Sequence, residues 1–204
     1  MKQYFLRFMG YACTVALISL LGLSSVQAVE VKLSGQINRA VMWADNGKDT
    51  SVLHVDNDNS STRFRFTGSE QMNDFVNVGV VWENEYQSND SSKVDVGQDN
   101  DGTSEFNDRK LEAYFVMPFG KVSIGQGDGA ANGTSEEDLS GTSVIIYSSV
   151  TDTAGSINFR DNNDNAIATV GSTRSNFDGL SRNDRLRYDT PSFGGATLSV
   201  SATN

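Results

Sequence analysis

Thr62-Arg63-Phe64-Arg65-Phe66-Thr67-Gly68 sets two phenylalanines against two arginines, residue by residue. Successive side chains of an extended chain point to opposite faces, so this period of two describes a β-strand with an apolar face and a charged face. If the strand lies in a membrane wall, Phe64 and Phe66 meet lipid. Arg63 and Arg65 then meet water, because a charge on the lipid face costs about 2–4 kcal/mol near mid-membrane.

The same alternation recurs on both sides. Val29 to Ala44 puts Val29, Val31, Leu33, Gly35, Ile37, Val41 and Trp43 on one face, with Arg39 the exception. That run exceeds the ~5–6 residues of an ordinary soluble strand. Phe75 to Tyr86 sets Val76, Val78, Val80 and Trp82 against Asn77, Gly79, Glu83 and Glu85. Further strands are predicted at Phe106–Met117, Lys121–Gln126, Asp184–Asp189 and Ala196–Ala202. In Asp184–Asp189, Leu186 and Tyr188 oppose Arg185 and Arg187.

The connections alternate in length. Residues 71–74, 118–120 and 191–195 are tight turns, whereas 45–61, 88–105 and 127–183 are long and mostly acidic. Outer-membrane barrels have short periplasmic turns and long extracellular loops. Pro118 and Pro191 both fall in the short turns, where a residue without an amide hydrogen does not interrupt a ladder. Phe119 and Phe193 are then expected as inner aromatic-girdle residues, and Trp43, Trp82 and Tyr86 as outer ones. An exported soluble β-domain remains the competing reading of the pattern.

The first 28 residues read as a secretory signal peptide: Lys2 and Arg7, an apolar run from Tyr11 to Leu23, and Val26-Gln27-Ala28 before the cut. The single cysteine, Cys13, leaves with it. The mature domain, 29–204, keeps 14 basic against 26 acidic residues, a net charge of −12 that disfavours nucleic acid. No mature apolar run approaches the ~20 residues of a spanning helix. His54 is the single histidine and lies in a loop, which argues against a Ser-His-Asp site, an enzyme, or a histidine-rich metal site. Asp99-Asn100-Asp101-Gly102-Thr103-Ser104-Glu105 lacks the full ligand spacing of a calcium loop. No cofactor is indicated.

Three stretches carry a resemblance: Ser61 to Glu70; Asn107-Asp108-Arg109 leading to Phe119-Gly120-Lys121-Val122-Ser123-Ile124-Gly125; and Arg185 to Gly195. Together and in this order, they resemble the general trimeric porins of Gram-negative bacteria. The resemblance implies an all-β, antiparallel transmembrane barrel of about sixteen strands. About seven are present, so the chain is expected to be the N-terminal portion of such a protein. It further implies an outer-membrane homotrimer in contact with lipid and lipopolysaccharide, passing ions and small hydrophilic solutes by diffusion. The alternative is an exported β-protein whose acidic loops bind a surface partner without transport.

The resemblance also implies that the loop after the fifth strand folds into the lumen. From Val122 to Phe159 that region has no Lys or Arg and five acids. Glu136, Glu137 and Asp138, with Asp128 near the loop's start, are its constriction acids. The resemblance makes Arg63, Arg109 and Arg182 the facing basic wall, and strand parity turns Arg65, Arg185 and Arg187 to the same side. Opposed charges across a narrow hydrated gap set ion preference, and the sign of that preference stays open. Arg109 carries a conflict, because it shares strand parity with lipid-like Leu111, Ala113 and Phe115. Following the resemblance turns Arg109 inward and puts Lys110, Glu112 and Tyr114 outside, where a subunit interface would receive them.

Overall fold

A computed structural model describes residues 29–100, 102, 104–135, 138–142, 149–175 and 177–203. The fold is all-β. The strands are β1 (Glu30–Gln36), β2 (Arg39–Asp45), β3 (Thr50–Asp56), β4 (Arg63–Asn73), β5 (Val76–Gln87), β6 (Glu105–Met117), β7 (Gly120–Asp128), β8 (Asn158–Arg160), β9 (Ala166–Thr169), β10 (Arg182–Asp189) and β11 (Ser199–Thr203), with a short helix α1 (Val150–Ala154). Among the described residues, an antiparallel sheet runs β1-β4-β5-β6-β7-β10-β11, each strand beside its predecessor in the sheet. No described helix is long and apolar enough to cross a membrane.

The sheet is inside out by the standard of an aqueous fold. One face carries Val31, Leu33, Val80, Trp82, Leu111, Ile124, Leu186 and Val200, exposed by 47% at Trp82 to 68% at Val31. On the other face Glu83 is 0%, Ser123 1% and Arg185 6% exposed. Water-soluble domains seldom bury charge and expose whole apolar stripes. Each such Leu or Val gains about 1.5–3 kcal/mol when an apolar medium covers it. Strands β4, β5 and β6, of 11, 12 and 13 residues, are long enough to span a bilayer.

The first predicted strand is not continuous. Its ladder with β4 ends at Gln36–Arg63, and from Arg39 the chain pairs with β3 instead. Side chains make the break. Gln36 donates to the Ser60 and Ser61 carbonyls, and the Asn38 backbone N–H donates to Thr62 Oγ1 at 3.0 Å. The supposed loop 45–61 thus contains strand β3. β2 and β3 form a separate hairpin, closed by a turn in which Asn46 Oδ1 accepts from the Lys48 and Asp49 amides. Trp43 sits on this hairpin and not on the seven-stranded sheet.

Hairpin β2–β3 helps build a small apolar core outside the sheet. Ala44, Leu53 and Val55 pack with Val94 and Val96 of the second long connection and Ile157 of the third. Three segments that are distant in sequence are thereby tied into one cap. The third connection, read as a loop, contains strand β9 paired with β8.

The short turns behave as predicted. Asn73 Oδ1 accepts from the Phe75 and Val76 amides between β4 and β5. Between β10 and β11, Gly194 and Gly195 have φ of 61° and 91°, which suits the paired left-handed positions of a type I′ hairpin.

Candidate functional site

The polar face of β4, β5 and β6 gathers five charged groups. Register places Arg63 opposite Glu85 and Arg65 opposite Glu83. Fully buried Glu83 accepts from Arg109 Nε at 2.7 Å and is ion-paired with Arg65. Arg63 stands 3.9 Å from the same carboxylate and donates to Ser60 Oγ at 3.1 Å. Arg109 Nη1 reaches Glu85 at 2.5 Å and Ser61 Oγ at 3.2 Å. Charge-assisted bonds of this kind exceed neutral ones in strength, and they hold the guanidinium planes in place. Three guanidinium groups face two carboxylates, leaving one positive charge in excess.

A β-bulge removes the conflict at Arg109. Glu83 pairs with Lys110, but Asn84 pairs with Asp108, so Arg109 is an extra residue opposite none. A bulge re-aims side chains on its strand. Arg109 and Lys110 therefore both serve the polar face while Leu111, Ala113 and Phe115 stay on the apolar one. The expectation that Lys110, Glu112 and Tyr114 lie outside is overturned: Lys110 is paired with Asp128, Glu112 with Arg185, and Tyr114 lies beneath Lys121 Nζ at 4.6 Å. Tyr114 also covers Gly79, where an added Cβ would fall 2.2 Å from its ring.

A second cluster surrounds Asp128. It is the last residue of β7, and Lys110, Arg182 at 2.9 Å and Asn132 at 2.7 Å all bind its carboxylate. Arg185 donates to the Gly125 and Asp128 carbonyls, each at 3.0 Å. Arg187 donates to the Asp128 and Gly129 carbonyls and pairs with Asp189 at 2.8 Å. These groups clamp the backbone where the third long connection leaves the sheet. The charges of Arg109, Arg65 and Arg182 all act on Arg63, so the two clusters share one field.

A long-stranded meander, polar on the face that holds these clusters and apolar on the other, is the architecture of a membrane barrel wall. A sequence profile described as Gram-negative porin matches residues 12–204. The chain belongs to the Gram-negative porin family. Among solved structures, the anion-selective porin from Comamonas acidovorans superposes with a TM-score of 0.53 at 20% identity, covering 86% of this chain and 47% of that one. This porin chain thus spans about half the length of that structure. Among curated proteins, none matches its sequence. Family membership places it in the outer membrane. In a barrel wall of this kind the polar face is the one turned to the lumen and the apolar face the one turned to lipid.

The sequence-derived site residues distribute unevenly over this porin wall. Arg63, Arg65, Arg109, Arg182, Arg185 and Arg187 all join the two clusters. Glu136 and Glu137 lie outside the described residues. Asp138 accepts from the Ser140 amide and hydroxyl, and among the described residues no ion pair joins it to the wall. Tyr86, Phe119 and Phe193 are exposed towards the strand ends, whereas Trp82, expected at the outer interface, is exposed at mid-strand opposite Phe66 and Leu111. Trp82 stacks on Phe66 at 5.6 Å, and Phe64 stacks on Phe106 at 6.0 Å. Phe106, Glu83, Glu85, Lys110 and Glu112 were not foreseen. The carboxylates had a signal in Glu83-x-Glu85 against Arg63-x-Arg65. Counting from the turn misaligns that pairing by one, because the register shifts between Gln71 and Asn73.

Proposed function

We propose that this protein forms a water-filled outer-membrane channel for ions and small hydrophilic solutes, with the Arg63–Arg65–Arg109 cluster as its charge-selective wall. The supporting observation is Glu83, which is fully buried yet holds three guanidinium groups on the polar face. Pre-set charge at a narrow hydrated gap admits ions of opposite sign and orders water against apolar solutes. The excess positive charge of this cluster favours anions, in line with the selectivity named for the Comamonas porin. Asp138 and its neighbours Glu136 and Glu137 oppose that preference from the loop.

The same reading takes residues 1–28 as a cleaved leader. The exposed apolar stripe is the lipid contact, and the assembly is a homotrimer whose extracellular acids meet lipopolysaccharide. Planar-bilayer recording tests the channel. Stepwise conductance with an anion-directed reversal potential under a salt gradient is expected. A folded, membrane-inserted protein that conducts nothing would overturn the proposal.

A further inference from the structure

Helix α1 is docked on the wall through a junction rich in carboxyl groups. It meets the 3-10 turn Asp58–Ser60, where Asn59 donates to Thr153 Oγ1. Ser91 bridges the two, donating to the Asp152 carbonyl at 2.6 Å and accepting from the Asp58 amide at 3.0 Å. The Asp58 side chain faces Glu85 of β5, Asp90 of the following connection and Asp152 of α1, and accepts a hydrogen bond from Gln87. Two of these acids have their own cations, and none is ion-paired to Asp58 among the described residues. Arg109 is bound to Glu83 and Glu85, and Lys93 lies 3.6 Å from Asp90 and 2.7 Å from Glu105. Arg182 acts on Asp152 while bound to Asp128, and Asp178 adds a further negative charge to Asp152. In the same junction Asn59 Oδ1 is buried without a hydrogen-bond donor.

We propose that docking of α1 on the wall is proton-linked, with protonated Asp58 holding the segment 149–157 in place and ionised Asp58 loosening it. Asp58 and Asp152 have no ion pair among the described residues, and burying both of them charged beside Asp90 and Glu85 is costly. Burial, then the charges of Asp90, Asp152 and Glu85, push Asp58 up to about 7, against the Gln87 hydrogen bond. Burial also raises Asp152. Undocking removes the Asp152 charge and part of the burial, which moves Asp58 down towards the ordinary carboxylate range near ~4. Docking therefore takes up a proton. It is tightest below about pH 4, weakens as pH rises to about 7, and is constant above that. The docked segment belongs to the same long connection as the proposed constriction acids but is a different part of it.

The test is a nitroxide label at Val150→Cys, an exposed helix position, in the protein freed of its leader and thus of its single native cysteine, reconstituted in lipid. Its spectrum is expected to be immobilised at about pH 4 and to gain a mobile component up to about pH 7. Asp58→Asn mimics the protonated acid and should keep the spectrum immobile throughout. Asp152→Asn removes one repelling charge and should move the midpoint to lower pH. It also serves as the deciding variant if Asp58→Asn does not insert. A pH-independent parent spectrum, an Asp58→Asn protein that retains the parent's change, or an unmoved Asp152→Asn midpoint would each overturn the inference. None of these spectra depends on conduction, so failure here is separable from failure of the channel proposal.

Discussion

Replacing Glu83 by Gln is the sharpest perturbation of the charged wall. The substitution keeps size and one acceptor but deletes the charge that Arg65 and Arg109 bind and Arg63 faces. Arginine does not release its proton in compensation. The local excess then rises from one positive charge to two. At about 7 Å across hydrated lumen, one unit charge acts with roughly 0.6 kcal/mol, screened to about 0.3 kcal/mol at 0.1 M salt. Anions gain and cations lose that amount, so the anion-to-cation permeability ratio should rise about threefold. Stability should fall by about 2–3 kcal/mol, less than for a fully enclosed pair, because Arg109 retains Glu85 and Arg65 retains water. Reversal potentials under a salt gradient measure the ratio, and urea unfolding in lipid measures the stability. An unchanged ratio, or a shift towards cations in a folded channel, would show that the cluster does not lie on the ion path.

The converse variant Arg63→Gln should cancel the excess charge and move the reversal potential towards cations at little cost in stability, since Arg63 makes the longest of the three contacts to Glu83. Val80→Arg on the apolar face should destabilise the barrel by about 2–4 kcal/mol in lipid, and Val81→Arg beside it by much less; equal costs in urea titrations would mean the faces are misassigned. Gly125→Ala should reduce the folded fraction in electrophoretic mobility assays by roughly 3 kcal/mol of destabilisation, since φ there is 113° and an added Cβ would lie 2.4 Å from the Leu111 carbonyl oxygen. Leu53→Ala should cost about 2–5 kcal/mol within the cap core and speed proteolysis between 149 and 171, while leaving the seven-stranded sheet protected.

Alternation was enough to predict the seven-stranded wall. Phe64 and Phe66 against Arg63 and Arg65, or Leu186 and Tyr188 against Arg185 and Arg187, assign faces directly, because a strand's side chains have a strict period of two. The same rule placed the turns at Asn73, Pro118 and Gly194, where polar, proline or glycine residues interrupt it. That rule also marks where sequence reasoning stopped. A period of two carries no record of an inserted residue, so the bulge that turns Arg109 inward was invisible until β5 and β6 were paired. It also cannot say which partner a strand takes, which is why β2 was read as a continuation of β1. The chain's own chemistry thus determined which residues seek lipid and which seek water. Tertiary structure alone decided which carboxylates Arg63, Arg65, Arg109, Arg182 and Arg185 meet, because Glu83, Glu85, Glu112 and Asp128 reach them across strands and not through proximity along the chain.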